Sequence, residues 1–151
     1  MSSTPIDADT LKNIYKKIGR FDHFMGLDFE IHSPGDITYS MEITEDHLSS
    51  PDAAHGGSIA AMMDATLGMS ALSYAVTKGK LCATVEFKIN YTGPAKPQDI
   101  LTGHGKLDFI GNRLVVSSAE IRNKNTGELV AKGLGTFNLY PMDKKSFFHQ
   151  K

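Results

Sequence analysis

From Lys80 onward, apolar and polar residues alternate with a period of two. In "TVEFKINY", Val85, Phe87, Ile89 and Tyr91 alternate with Thr84, Glu86, Lys88 and Asn90, which predicts a strand. After the loop "GPAKP", three further strands are expected in "DILTGHGKLDFI", "RLVVSSAEIRN" and "LVAKGLGTFNLY". Gly111-Asn112 and Asn125-Thr126-Gly127 separate them and suit hairpin turns, so the sheet should be largely antiparallel. Upstream, "FEIHSPGDITYSMEIT" predicts extended chain broken at Pro34-Gly35, giving about five strands in all.

The period is helical in two places. "DADTLKNIYKKIGRF" has Asp7 or Asp9 as N-cap, apolar Leu11, Ile14, Tyr15 and Ile18 at helical spacing, and Gly19 as its end. The second stretch, "AHGGSIAAMMDATLGMSALSYAV", is apolar or small all round, with one charge, Asp64. A helix without a polar face must be buried on every side, and a curved antiparallel sheet wrapped around it meets that need. Gly103, Gly105, Gly133 and Gly135 alternate on single strand faces, where missing side chains would let the sheet bend or the helix approach. The expected class is therefore α+β, with a long central helix.

Composition narrows the function more than the fold. The chain has 151 residues, 22% of them charged, and a formal net charge of -1. One domain fits that length, and near-neutrality argues against nucleic acid or an anionic membrane as the main partner. Gly57–Val76 is long enough to span a bilayer, but its Ala, Ser, Gly and Thr content and its central Asp argue against a span. The polar N-terminus lacks the apolar core of a signal peptide, and the single cysteine, Cys82, suits a reducing compartment. The expectation is a cytoplasmic protein. His23, His32, His47, His104 and His149 show no ligand spacing, so no metal is expected. Cys82 lacks a nearby base and is expected to be a packed thiol. "GGSIA" is not the G-x-S-x-G elbow of a serine hydrolase.

Asp64 is the residue that needs explaining. A buried carboxylate must find donors or stay protonated. It could bond a local hydroxyl such as Thr66 or Ser70, or meet a second subunit. His55-Gly56-Gly57 offers another use, because first-turn amides are free and a ligand oxygen can approach glycine backbone closely. Such a turn can stabilise an oxyanion while a carboxylate activates water or attacks directly. Gly56 and Asp64 lie eight positions apart, roughly 12 Å along one helix, too far to serve one carbonyl. Antiparallel helices of two subunits would bring Asp64 of each toward Gly56 of the other. A catalytic site here predicts at least a dimer.

"HGGSIAAMMDATLG" resembles the His-Gly-Gly…Asp/Glu…Gly signature of hotdog-fold thioesterases, in the PaaI-like acyl-CoA thioesterase branch. "VEFKINYTGPAKPQDILTGHGKLDFIGNRLVVSSAEIRNKNTGELVAKGLGTF" resembles the family's strand block, and the similarity covers roughly Asp46 to Leu139. The resemblance implies a hotdog domain over 27–140, preceded by a helix and loop (1–26) and followed by a polar tail (141–151) carrying Phe147 and Phe148. It implies hydrolysis of an acyl-CoA thioester by a homodimer, paired into a tetramer, with coenzyme A as part of the substrate and no separate cofactor. Asp64 would be base or nucleophile, the Gly56 amide the donor to the carbonyl with His55 beside it, and Thr84 a hydroxyl holding the attacking water. Ser49 stands where many relatives have Asn or Gln, and the shorter side chain reaches less far. Gly57, Met63, Lys88, Asn90 and Arg113 are the expected substrate contacts, the cations for the CoA phosphates, with Met62 and the aromatics of "RFDHFMGLDF" beside Met63 at the acyl group. Two alternatives are a non-catalytic acyl-CoA-binding or sensing protein and a hotdog hydratase, which places its His and acid differently.

Overall fold

The computed structural model describes residues 4–144. Helix α1 (Ala8–Ile18) begins where the Asp7 carboxylate accepts the Thr10 amide at 2.8 Å, which makes Asp7 rather than Asp9 the cap. Its Leu11 is fully buried. The segment after Gly19, expected as loop, forms a second short helix, α2 (Arg20–Met25). Gly26, in the left-handed conformation at φ 70°, ends it by returning its N–H to the last turn.

Strands β1 (Asp28–Ser33) and β2 (Asp36–Glu42) form a hairpin around Pro34-Gly35, with Gly35 at φ 90°. A small ribbon, β3 (Leu48–Ser50) with β4 (Ala53–Ala54), leads into α3 (Gly56–Ala75). Four long strands follow: β5 (Lys80–Tyr91), β6 (Ile100–Ile110), β7 (Leu114–Asn123) and β8 (Leu129–Pro141). Among the described residues the main sheet has six strands, all antiparallel, in the order β1-β2-β6-β7-β8-β5. The hairpin at Pro34-Gly35 supplies two of them, so the expected five become six. Strand β8 runs to Pro141, and Met142 after it is buried. The rest of the expected tail, with Phe147 and Phe148, lies outside the described residues.

Helix α3 packs across β2, β5, β6, β7 and β8. Its hydroxyls on the sheet side are satisfied within the helix: Thr66 donates to the Met62 carbonyl at 2.7 Å and Ser70 to that of Thr66 at 2.9 Å. The glycines of β6 permit this close approach. A Cβ on Gly103 would lie 2.7 Å from the Thr66 hydroxyl, and one on Gly105 would collide with the Ser70 hydroxyl and sit 2.8 Å from the Thr66 carbonyl. On β8, a Cβ on Gly133 would lie 2.5 Å from the Met63 sulfur. The bilayer-length helix is thus wrapped by sheet on this side.

Strand β5 departs from strict alternation. Its register with β8 jumps between Thr84↔Phe137 and Glu86↔Thr136, so Val85 is the extra residue of a β-bulge. An extra residue reverses which face each later side chain meets. Before the bulge Cys82 and Thr84 turn toward α3, reaching the Gly68 carbonyl and Asp64; after it Phe87 and Ile89 pack on the core instead. Val85 itself is 58% exposed and Tyr91 53%, against the continuous inward phase that the pattern predicts.

Candidate active site

The bulge puts Thr84 opposite Asp64. The Thr84 hydroxyl donates to Asp64 Oδ1 at 2.9 Å. Neither Thr66 nor Ser70 is the partner of Asp64, since both face the sheet and bond their own helix. Asp64 is half-buried and borders a groove of about 400 Å³ between α3, β5 and the two N-terminal helices. Small residues of α3, Ala61, Ala65 and Gly68, leave the space, and Leu72, Phe137 and Ile18 make it apolar.

The His-Gly-Gly turn is assembled separately. His55 caps α3, its Nδ1 accepting the Gly57 N–H at 2.7 Å. A Cβ on Gly57 would lie 2.8 Å from that nitrogen, so the second glycine makes room for the imidazole. Its N–H is thereby used, whereas no described residue accepts the Gly56 N–H. The turn is held from below by His47, which is buried. The His47 carbonyl accepts the His55 N–H at 2.7 Å and the Ser58 hydroxyl at 3.1 Å, while its Nε2 lies 3.0 Å from the Met25 carbonyl. Tyr91 donates its hydroxyl to the Gly56 carbonyl at 2.8 Å. A phenol at the end of an alternating strand gives no sequence signal for this contact.

Within one chain, then, Asp64 meets Thr84, and Gly56 meets His55, Gly57 and Tyr91, but the two groups stay apart as the helix rise requires. Ser49, in β3, is exposed and donates to the Ala53 carbonyl at 3.4 Å. Lys88 and Asn90 fall on the outward phase of β5, in register with Leu134 and Lys132. Arg113 lies in the β6–β7 turn, where its carbonyl accepts the Leu139 N–H. These three are not brought to the groove. Met62 and Met63 are fully buried, Met63 against Gly133, so packing accounts for both. Of the aromatics expected at the acyl group, Phe21 lines the groove and Phe29 is buried.

Two groove residues had no functional sequence signal. Asp22, on α2, accepts the Tyr39 hydroxyl at 2.6 Å. Burial raises its carboxyl above the ordinary value, the Tyr39 bond opposes this, and Asp64 adds to the rise. Tyr15 is pushed up to about 12, chiefly by burial and then by Asp22, Cys82 and Asp64. Cys82 is likewise pushed up to about 12 by burial and then by Asp64, which fits an inert thiol rather than a nucleophile. Among the described residues, no three His, Cys, Asp or Glu side chains are grouped to hold a metal ion.

Comparison with known proteins agrees with this architecture. Residues 52–130, from the loop before the capping histidine to β8, match the family model described as thioesterase superfamily. Human acyl-coenzyme A thioesterase 13 is 30% identical over 138 residues, covering 87% of this chain and 96% of its own. Among solved structures, the PaaI protein of the E. coli phenylacetic acid degradation operon superposes with a TM-score of 0.73 at 19% identity, over 86% of this chain and 96% of that one. A thioesterase protein of Streptococcus pneumoniae TIGR4, solved with coenzyme A, gives 0.68 at 24% identity, over 76% and 89%. A capped His-Gly-Gly helix wrapped by an antiparallel sheet, matched over most of its length by sequence and by fold, places this chain in the thioesterase superfamily as a hotdog-fold thioester hydrolase.

Proposed function

We propose that the protein is a cytoplasmic acyl-CoA thioesterase that works as a homodimer, paired into a tetramer, with no cofactor beyond the coenzyme A of its substrate. The observation that carries this reading is the Asp64–Thr84 pair on the wall of an apolar groove. Support for the substrate class comes from the name of the human relative and from the coenzyme A in the pneumococcal structure.

In this reading the acyl group lies in the groove and the thioester carbonyl points at the Gly56 N–H of the other subunit. That amide sits in the first turn of a 20-residue helix, where the dipole adds to its pull on a developing oxyanion. Asp64 then acts in one of two ways. It takes a proton from water as the water oxygen attacks the carbonyl carbon, or it attacks that carbon itself and water cleaves the resulting anhydride. Either way the C–S bond breaks, the thiolate of coenzyme A leaves and is protonated, and a free acid remains. Thr84 donates a hydrogen bond to Asp64, so its oxygen is free to accept a hydrogen bond from the attacking water. Strand β5 lies at the edge of the sheet, and no described strand pairs with its outer side. Pairing of two such edges would set the helices of two subunits side by side.

Free-CoA release from a panel of fatty and aryl acyl-CoAs tests this reading. Wild type should turn over at least one of them, and Asp64→Ala in the same oligomeric state should lose roughly 10²- to 10⁴-fold. Binding without turnover on any of them would contradict it and favour a sensing role.

A further inference from the structure

The groove beside Asp64 has a neighbour. An open pocket of about 450 Å³ lies between α1, α2 and β1, bordered by Leu27 and Phe29 and, toward solvent, by Lys16, His23 and Asp28. Tyr15 and Asp22 line both spaces, so these two side chains form the wall between them.

The wall stands on fixed supports. The Tyr15 ring meets Phe29 edge-on, with centroids 5.8 Å apart and planes at 80°. On another side it lies against Gly19, where a Cβ would come within 3.0 Å of the ring carbon Cε1. Asp22 is tethered by the hydroxyl of Tyr39, a residue only 1% exposed. A side chain so held does not swing aside without losing its packing. Past the ring the path passes the Asp22 carboxyl, a poor neighbour for methylene groups.

We propose that Tyr15 is a specificity-determining residue that ends the acyl groove, so that the wild-type enzyme favours acyl groups short enough to stop at its ring. This rests on the reading that the groove holds the acyl group. A longer chain must leave methylenes in water, which forfeits roughly fourfold in binding for each one. Truncating Tyr15 removes the larger part of the wall and leaves Asp22 as the remainder, so the groove should lengthen toward the second pocket.

The test is kcat/KM for straight-chain acyl-CoAs from butyryl to stearoyl, measured on the full chain for wild type, Tyr15→Ala and Tyr15→Phe. Tyr15→Ala should move the optimum to longer chains and raise the ratio of palmitoyl- to octanoyl-CoA turnover by roughly tenfold or more. Tyr15→Phe keeps the ring and should keep the wild-type order of chain lengths. If Tyr15→Ala fails to fold, Tyr15→Leu replaces it, since it shortens the wall and keeps an apolar contact with Phe29. An unchanged chain-length profile in a folded Ala or Leu variant would overturn the proposal and leave the thioesterase reading intact. A wild-type enzyme that hydrolyses none of the series and binds its acyl groups elsewhere would overturn both.

Discussion

On the side of α3 that meets the sheet, Thr66, Ser70 and Ser73 turn their hydroxyls back to helix carbonyls, and β6 answers with glycines. On the side that meets the groove, Ala61, Ala65 and Gly68 leave room, and Asp64 keeps a carboxylate bonded to one hydroxyl from another element. Both sides use small and polar residues in one apolar-looking run. They differ in where the polar atoms are satisfied. Hydroxyls closed within the helix let two backbones approach, whereas a carboxylate held by a strand retains lone pairs for a ligand. The first side should therefore govern stability and the second turnover.

The strongest break of that comparison is Gly105→Val. Its Cβ would strike the Ser70 hydroxyl and crowd the Thr66 carbonyl, which belongs to helix backbone and cannot rotate away. Stability should fall by about 3 kcal/mol in urea denaturation, with kcat of the folded fraction little changed. On the groove side, Thr84→Val should do the reverse. Thr84 is exposed, so loss of its hydrogen bond should move the urea midpoint little, whereas loss of the oxygen that would hold the attacking water should drop kcat by roughly tenfold or more.

The smallest effect separates the two carboxyls of the groove. Burial raises the Asp22 carboxyl above its ordinary value of 3.8, so the folded chain holds this proton to higher pH than the unfolded chain. Below 3.8 both states are protonated and Asp22 contributes nothing; as pH rises through the folded value stability falls, and it stays lower above it. Asp22→Asn removes the titration and keeps an oxygen for Tyr39. The variant's stability relative to wild type should therefore rise between acid and neutral pH, which paired urea titrations would read. A flat difference would show that Asp22 titrates as it does in the unfolded chain.

Much of this was legible in the chain. Alternation and turn residues located the long strands, since each hairpin carries its own glycine or asparagine, and the glycine pairs of β6 and β8 marked where α3 comes close. The helix α2 was not legible: six residues between two glycines are too few for a periodic pattern, and Phe21 and Phe24 are exposed rather than inward. Nor was the bulge at Val85, because alternation in "TVEFKINY" is unbroken in sequence and only the register with β8 shows the extra residue. That bulge is what aims Thr84 at Asp64. Of the site, the separation of Asp64 from the His-Gly-Gly turn of its own chain followed from helix rise alone. Asp22 and Tyr15 reach the groove through the packing of α1 and α2 on the sheet, and no local spacing encodes that.

The central claim is that Asp64 of one chain works with the Gly56 amide of another. Two inactive variants test it directly: Asp64→Ala, and Gly56→Pro, which deletes the amide hydrogen at the first helical position, where proline is tolerated. The preceding His55, at φ -66° and ψ 137°, already has the extended backbone that a following proline requires. Unfolded and refolded together, the two chains form hybrids in which one site has both lesions and the other has neither. Mixing should restore roughly a quarter of wild-type CoA release, half the dimers being hybrids with one intact site each. Activity no greater than that of either variant alone, with hybrids demonstrably formed, would contradict the shared site.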